Sequence, residues 1–128
     1  MSEPTRQFVV LQHEASGAVH WDLMLDMGGL LATWRFSENP CSSGSADVKF
    51  PLRITRIKDH RRIYLDYEGP ISGGRGRVTR VDGGQYTLLK ESTGRWTVRL
   101  AGALLSGTYQ LTEVAGADAV WEWCPLDG

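Results

Sequence analysis

Cysteine is nearly missing from this chain of 128 residues. The two present, Cys41 and Cys124, form no C-x-x-C pair and supply no disulfide framework, which points to a reducing cytoplasm. Only a single long-range bridge between them stays open. No apolar run approaches membrane-spanning length, and Met1-Ser2-Glu3-Pro4-Thr5-Arg6 holds no apolar signal core, so no membrane partner is expected. Convincing helical periodicity is absent as well. A dominant charge is also missing: the net charge of −1 argues against a broad surface that coats duplex nucleic acid. Histidine is scarce, with only His13, His20 and His60. The length suits one domain over residues 1–128 with a single real core.

What the chain does contain is a succession of short alternating runs separated by turn residues. Phe8–Gln12, Val19–Asp26, Leu30–Phe36, Lys49–Lys58, Arg62–Glu68, Arg77–Val81, Gln85–Lys90, Arg95–Leu100, Thr108–Val114 and Ala119–Cys124 all read as strands. Gly28-Gly29, Asp82-Gly83-Gly84 and Ser92-Thr93-Gly94 read as hairpin turns, and Asp59-His60-Arg61 as a tight connection. Ser37–Asp47 and the glycine-rich Gly69–Gly76 read as loops. The spacing predicts an all-β fold: a small closed β-barrel of about eight to ten antiparallel strands, or a sandwich.

One run carries chemistry. Along Val19–Asp26, alternation puts His20, Asp22, Met24 and Asp26 on one face and Val19, Trp21, Leu23 and Leu25 on the other. A histidine and a carboxylate two positions apart on a strand lie close enough to share one metal ion, and His13 comes just before this run. The same pattern also describes an amphipathic strand whose polar face meets water. Charge adds a second cue. Residues 49–80 hold nine Lys and Arg against three Asp and Glu, a local +6, while the remaining five cations face twelve acids, −7. Such a segment marks a phosphate-bearing partner or a pair of edge strands protected by cations.

The motifs together resemble the 3'-phosphoesterase domain found at the N-terminus of bacterial DNA ligase D and in free-standing relatives. That family opens with a strand ending in His, then His-Tyr-Asp-Phe-Arg-Leu-Glu, then Asp-Gly-Val-Leu and Ser-Trp. The counterparts here are Phe8-Val9-Val10-Leu11-Gln12-His13, His20-Trp21-Asp22-Leu23-Met24-Leu25-Asp26 and Gly29-Leu30-Leu31-Ala32-Thr33-Trp34. Lys58-Asp59-His60, Tyr64 and Tyr67-Glu68-Gly69 echo the family's Glu-Asp-His, Tyr and Phe-Glu-Gly. Val81-Asp82-Gly83-Gly84-Gln85-Tyr86 and the stretch Leu100 to Leu111 echo its two later motifs.

The resemblance implies a β-barrel whose interior cradles a divalent metal, manganese preferred, with zinc or iron as alternatives. The implied ligands are His13, His20 and Asp22. Two imidazoles and a carboxylate suit such ions and leave positions open for a phosphate oxygen and water. The resemblance puts His60 and Tyr64 on the scissile phosphate, as the catalytic pair. The implied substrate is a nucleic-acid 3' end, of DNA or of DNA with a terminal ribonucleotide. The implied partners are a DNA ligase or polymerase of end-joining repair.

The departures are specific. The family's phosphate-holding Arg, two positions after the metal-binding Asp, is Met24, which offers neither charge nor donors. The family's Pro-Lys-Gly is Ser37-Glu38-Asn39, and one extra residue separates His13 from His20. Little of the family's N-terminal extension is present, and Gly69–Gly76 is shortened. Arg62, Arg35 or Arg53 could supply a replacement cation, and strand parity favours Arg62 as a phosphate-binding residue. Two other readings stay open: a catalytically silent relative that binds nucleic-acid ends or a repair partner, and a non-haem iron oxygenase using His20, Asp22 and His60 as a facial triad.

Overall fold

A computed structural model describes residues 5–41 and 50–126. Nine strands are present among them: β1 (Thr5–Ala15), β2 (Ala18–Asp26), β3 (Leu30–Phe36), β4 (Leu52–Arg61), β5 (Gly69–Pro70), β6 (Arg77–Ser92), β7 (Arg95–Gly102), β8 (Ser106–Glu113) and β9 (Val120–Leu126). All pair antiparallel, in the order β1-β2-β3-β4-β9-β8-β7-β6, and β6 returns to pair with β1. Eight strands thus close a ring, and the short β5 lies beside the start of β6. This is the all-β barrel expected from the alternation. Among the described residues no helix is long and apolar enough to cross a membrane.

Closure gives the sheet an inside and an outside, and side-chain parity sorts residues between them. Every strand of the ring contributes to one large cluster, including Phe8, Leu23, Leu25, Trp34, Ile54, Tyr86, Val98, Leu111 and Trp123. Side chains from eight strands can meet only in the interior. Aromatic groups fill it edge-to-face: Trp34 against Trp96 at 5.1 Å and against Trp121 at 5.6 Å, and Phe36 against Trp123 at 5.3 Å. A second, smaller cluster of Val9, Leu11, Met24, Leu31, Leu65 and Val78 uses the opposite parity of β1–β3. It lies on the outer face, roofed by a 3₁₀ turn at Arg62–Leu65 and the chain that follows.

The expected interior metal site is therefore overturned. Leu23 and Leu25 point into the barrel, Trp21 packs against the interior cluster, and Val19 is exposed at the strand's end. His20, Asp22 and Met24 take the outer face. Bulky aromatics already occupy the interior, so a polar cluster has no place there.

Three local expectations also change. Asp82-Gly83-Gly84 is no hairpin turn but lies within β6, a strand of 16 residues. Its glycines permit close approach: a Cβ on Gly84 would sit 2.3 Å from the Ala101 carbonyl oxygen. The register shifts there too, as β1 pairs Val10 with Asp82 and Leu11 with Arg80. Asp59 and His60 belong to β4 rather than to a connection. Arg62–Glu68 is not a strand, because β3 begins at Leu30, the partner of Arg61, and nothing remains to pair with beyond it. The chain turns back instead, and Leu65 caps the outer cluster. Residues 42–47 of the expected Ser37–Asp47 loop, and Lys49 of the expected Lys49–Lys58 strand, lie outside the described residues. Cys41 and Cys124 are free thiols, which removes the long-range bridge.

Candidate functional site

The β1–β2 hairpin turns on Ser16 and Gly17, both with positive φ, the geometry of a two-residue turn that suits the strand twist. That turn sets His13 directly opposite His20, with Asp22 two positions further along β2. One ligand atom from each of His13, His20 and Asp22 falls within 4.8 Å of the others. His60, which an iron-type facial triad with His20 and Asp22 would need, falls outside this group among the described residues.

Hydrogen bonding fixes much of the protonation. His13 Nε2 lies 2.7 Å from the Arg75 carbonyl oxygen, which can only accept, so His13 Nε2 carries the proton. A neutral His13 then presents the Nδ1 lone pair, and Nδ1 faces His20 Nε2 at 2.7 Å. The rings meet edge-on, with centroids 4.6 Å apart. Burial lowers the His20 pKa, the Asp22 charge opposes the shift, and Arg35 and His13 reinforce it. A carbonyl holding the far nitrogen of a ligating histidine is the usual way a protein orients such a ligand. The donor set therefore fits a divalent ion: two imidazoles that can be neutral, beside one carboxylate.

Asp22 is 2% exposed and is not left alone. Arg35, its direct partner on β3, donates from Nε to Oδ1 at 3.0 Å and from Nη2 to Oδ2 at 3.3 Å. These groups open onto a cavity of about 430 Å³. Four cations line it, Arg35, Lys58, Arg61 and Arg75, against the two carboxylates Asp22 and Asp59. Asp59 also faces Arg56 at 3.6 Å, so the lining is net basic. Anions are favoured in such a recess.

His60 and Tyr64 both line the cavity, with ring centroids 5.7 Å apart. They arrive from different elements, His60 from the end of β4 and Tyr64 from the 3₁₀ turn. His60 Nδ1 lies 2.9 Å from the Lys58 carbonyl oxygen and must donate to it, which leaves Nε2 for a ligand. Burial lowers the His60 pKa; the Lys58 carbonyl and Asp22 oppose the shift, and Arg35 and Lys58 add to it. His60 is accordingly neutral at pH 7.

Arg62 is placed elsewhere. Its guanidinium donates to Asp26 Oδ2 at 3.0 Å, and it does not line the cavity. The parity that favoured it assumed a strand where the chain forms a 3₁₀ turn. Arg53 faces Glu122 at 3.9 Å and is also away from the cavity. Of the three candidate replacement cations only Arg35 lines the site. Sequence reasoning reached Lys58 and Arg75 only as members of the basic segment 49–80 and not as individual site residues, whereas Arg35 carried a signal of its own. With Gly28-Gly29 as the β2–β3 turn, residues equidistant from it face each other, and that pairs Asp22 with Arg35.

Residues 11–113 match the family described as the DNA Ligase D 3'-phosphoesterase domain. The "Multifunctional non-homologous end joining protein LigD" of Pseudomonas aeruginosa is 30% identical over 125 residues, covering 90% of this chain and 14% of that protein. Its namesake in Mycobacterium bovis is 32% identical over 116 residues, covering 85% of this chain. The "Multifunctional non-homologous end joining DNA repair protein LigD" of Mycobacterium tuberculosis matches equally, and the chain spans only 15% of the length of either mycobacterial protein. The matched stretch contains His13, His20, Asp22, His60 and Tyr64, and by its extent the chain belongs to the DNA ligase D 3'-phosphoesterase domain family.

Proposed function

We propose that this protein is a divalent-metal-dependent phosphoesterase that trims nucleic-acid 3' ends during end-joining repair. The observation that supports it best is the convergence of His13, His20 and Asp22 at the edge of a basic cavity lined by His60 and Tyr64. His13 through Nδ1, His20 through Nε2 and one Asp22 oxygen would hold the ion, with manganese favoured. The ion, when bound, supplies charge neutralisation at a phosphate oxygen and acidifies a water. The Arg75 carbonyl keeps His13 in its ligating tautomer. Arg35 spans both oxygens of the Asp22 carboxylate. His60 holds its proton on Nδ1, so its Nε2 accepts a proton from an attacking water or from Tyr64. Tyr64 presents a hydroxyl donor to the phosphate. A ligase or polymerase of end-joining repair would take over the trimmed end.

The test is an assay with manganese on a primer-template carrying a 3' phosphate or a 3'-terminal ribonucleotide. Release of phosphate or of the ribonucleoside, lost on chelation and in His20→Ala and Asp22→Ala, is the expected result. Stoichiometric manganese binding by the His20→Ala/Asp22→Ala double variant would move the metal elsewhere and defeat the assignment. Met24 favours a second reading, since a thioether stands where the family holds an arginine. In that reading the protein binds metal and 3' ends without turnover.

A further inference from the structure

We propose that Arg35 is the residue that grips the terminal phosphate in this protein, supplied from the neighbouring strand in place of the missing cation at position 24. The inference rests on the 3'-end reading above and names the group that recognises the phosphate.

Met24 cannot act on an anion. It is 1% exposed, packed among Leu11, Leu31 and Val78, and has no donor. Arg35 reaches the same cavity from β3, directly across from Asp22. Its side chain is 36% exposed, so the guanidinium is held at one edge and open at another. A guanidinium has five N–H donors. The fork on Asp22 engages Nε and Nη2, leaving Nη1 and one Nη2 hydrogen unused. Those donors suit two oxygens of a phosphate monoester.

The other cations nearby are less suited. Arg75 donates to the Ser72 carbonyl and hydroxyl, Arg62 is turned to Asp26, and Arg56 lies 4.4 Å over the Trp34 ring. Lys58 and Arg61 have no side-chain hydrogen bond among the described residues, so each must lose rotamer freedom on closing over a ligand. Arg35 has already been ordered by Asp22. A prepositioned fork binds a phosphate at lower entropic cost than a free lysine does. Asp22 can serve both neighbours, because a carboxylate has about four acceptor sites and the fork takes two.

The experiment compares affinities for primer-template ends with a 3' phosphate and a 3' hydroxyl, by fluorescence anisotropy in EDTA, where turnover cannot consume the phosphate. The full chain prefers the 3'-phosphate end, and Arg35→Ala reduces that preference at least tenfold. Arg35→Lys, which keeps the charge without the fork and guards against a folding defect, is intermediate. Manganese affinity measured by calorimetry is unchanged or tighter in Arg35→Ala, since Asp22 loses a competing partner. Three results overturn the assignment: no preference in the wild type, a preference retained in Arg35→Ala, or weakened manganese binding with the preference intact. Loss of the preference on Arg62→Ala instead of Arg35→Ala overturns it equally. If the preference depends on Arg35 but manganese-loaded protein releases no phosphate, the hydrolase reading fails and Arg35 stands as an end-binding residue.

Discussion

Asp82→Ala should be among the most damaging single changes away from the cavity. The Asp82 side chain is buried, at 5% exposure, and its carboxylate accepts three backbone N–H groups across the β7–β8 turn. The distances are 2.9 Å from Ala103, 3.1 Å from Leu104 and 2.6 Å from Leu105. Hydrogen bonds to a charged acceptor contribute about 1.5–3 kcal/mol each, but three bonds sharing two oxygens do not add fully. Ala103 and Leu104 are exposed, so water can satisfy their amides after the change. Leu105 is only 4% exposed, and its amide would remain dry and unpaired, at about 1–3 kcal/mol. Adding a smaller loss for the two rehydrated amides gives about 2–4 kcal/mol. That is a large part of the roughly 5–15 kcal/mol that holds a domain of this kind together. Urea unfolding should show it as a fall in midpoint of about 1–2 M with unchanged slope. Gly102→Ala offers an independent check, because a Cβ there would lie 2.5 Å from Asp82 Oδ2 and 2.8 Å from Phe8 Cζ. A loss below about 0.5 kcal/mol for Asp82→Ala, typical of a neutral surface change, would refute the reasoning.

Other perturbations probe the site and the thiols. Gly76→Ala should weaken both folding and manganese binding, because its φ is +85° and a Cβ would fall 1.9 Å from the Glu14 carbonyl oxygen, displacing the loop that holds His13; calorimetry on the purified variant tests this. Met24→Arg should not improve 3'-phosphate selectivity and should cost about 1–3 kcal/mol in stability, since the larger charged group enters a packed cluster; a selectivity gain at unchanged melting temperature would contradict this. The His60 pKa is depressed, so its neutral form stabilises the fold above the ordinary value of 6.5, and that contribution is lost as the pH falls through the folded-state value. His60→Gln should flatten this part of the pH–stability curve, followed by chemical unfolding between pH 4 and 8. Burial, with Asp82 adding to it, pushes the Cys41 thiol up to about 12, so its protonated form favours the fold and stability declines as pH rises above 9. Alkylation at pH 8 should accordingly modify Cys124 well before Cys41, as peptide mass mapping can establish.

The sequence by itself determined the strand class, the β2–β3 hairpin and which residues of Val19–Asp26 share a face. Alternation fixes which residues share a face, and a two-residue turn fixes which residues oppose each other, so His13, His20 and Asp22 converge through contacts local in sequence. Parity, however, names two faces without saying which is inside. Ring closure between β1 and β6 decided that, and the bulk of Trp34, Trp96, Trp121 and Trp123 sent the polar face outward. The tertiary structure alone also decided where strands end. Arg62–Leu65 leaves the sheet because β3 has no residue left to pair with it, which carries Arg62 to Asp26 and Tyr64 to the cavity. Asp82-Gly83-Gly84 has the composition of a turn, yet pairing on both sides draws it into β6 and turns Asp82 into an anchor for a distant loop. The His13–Arg75 contact joins residues 62 positions apart, a separation that local propensity and periodicity do not reach.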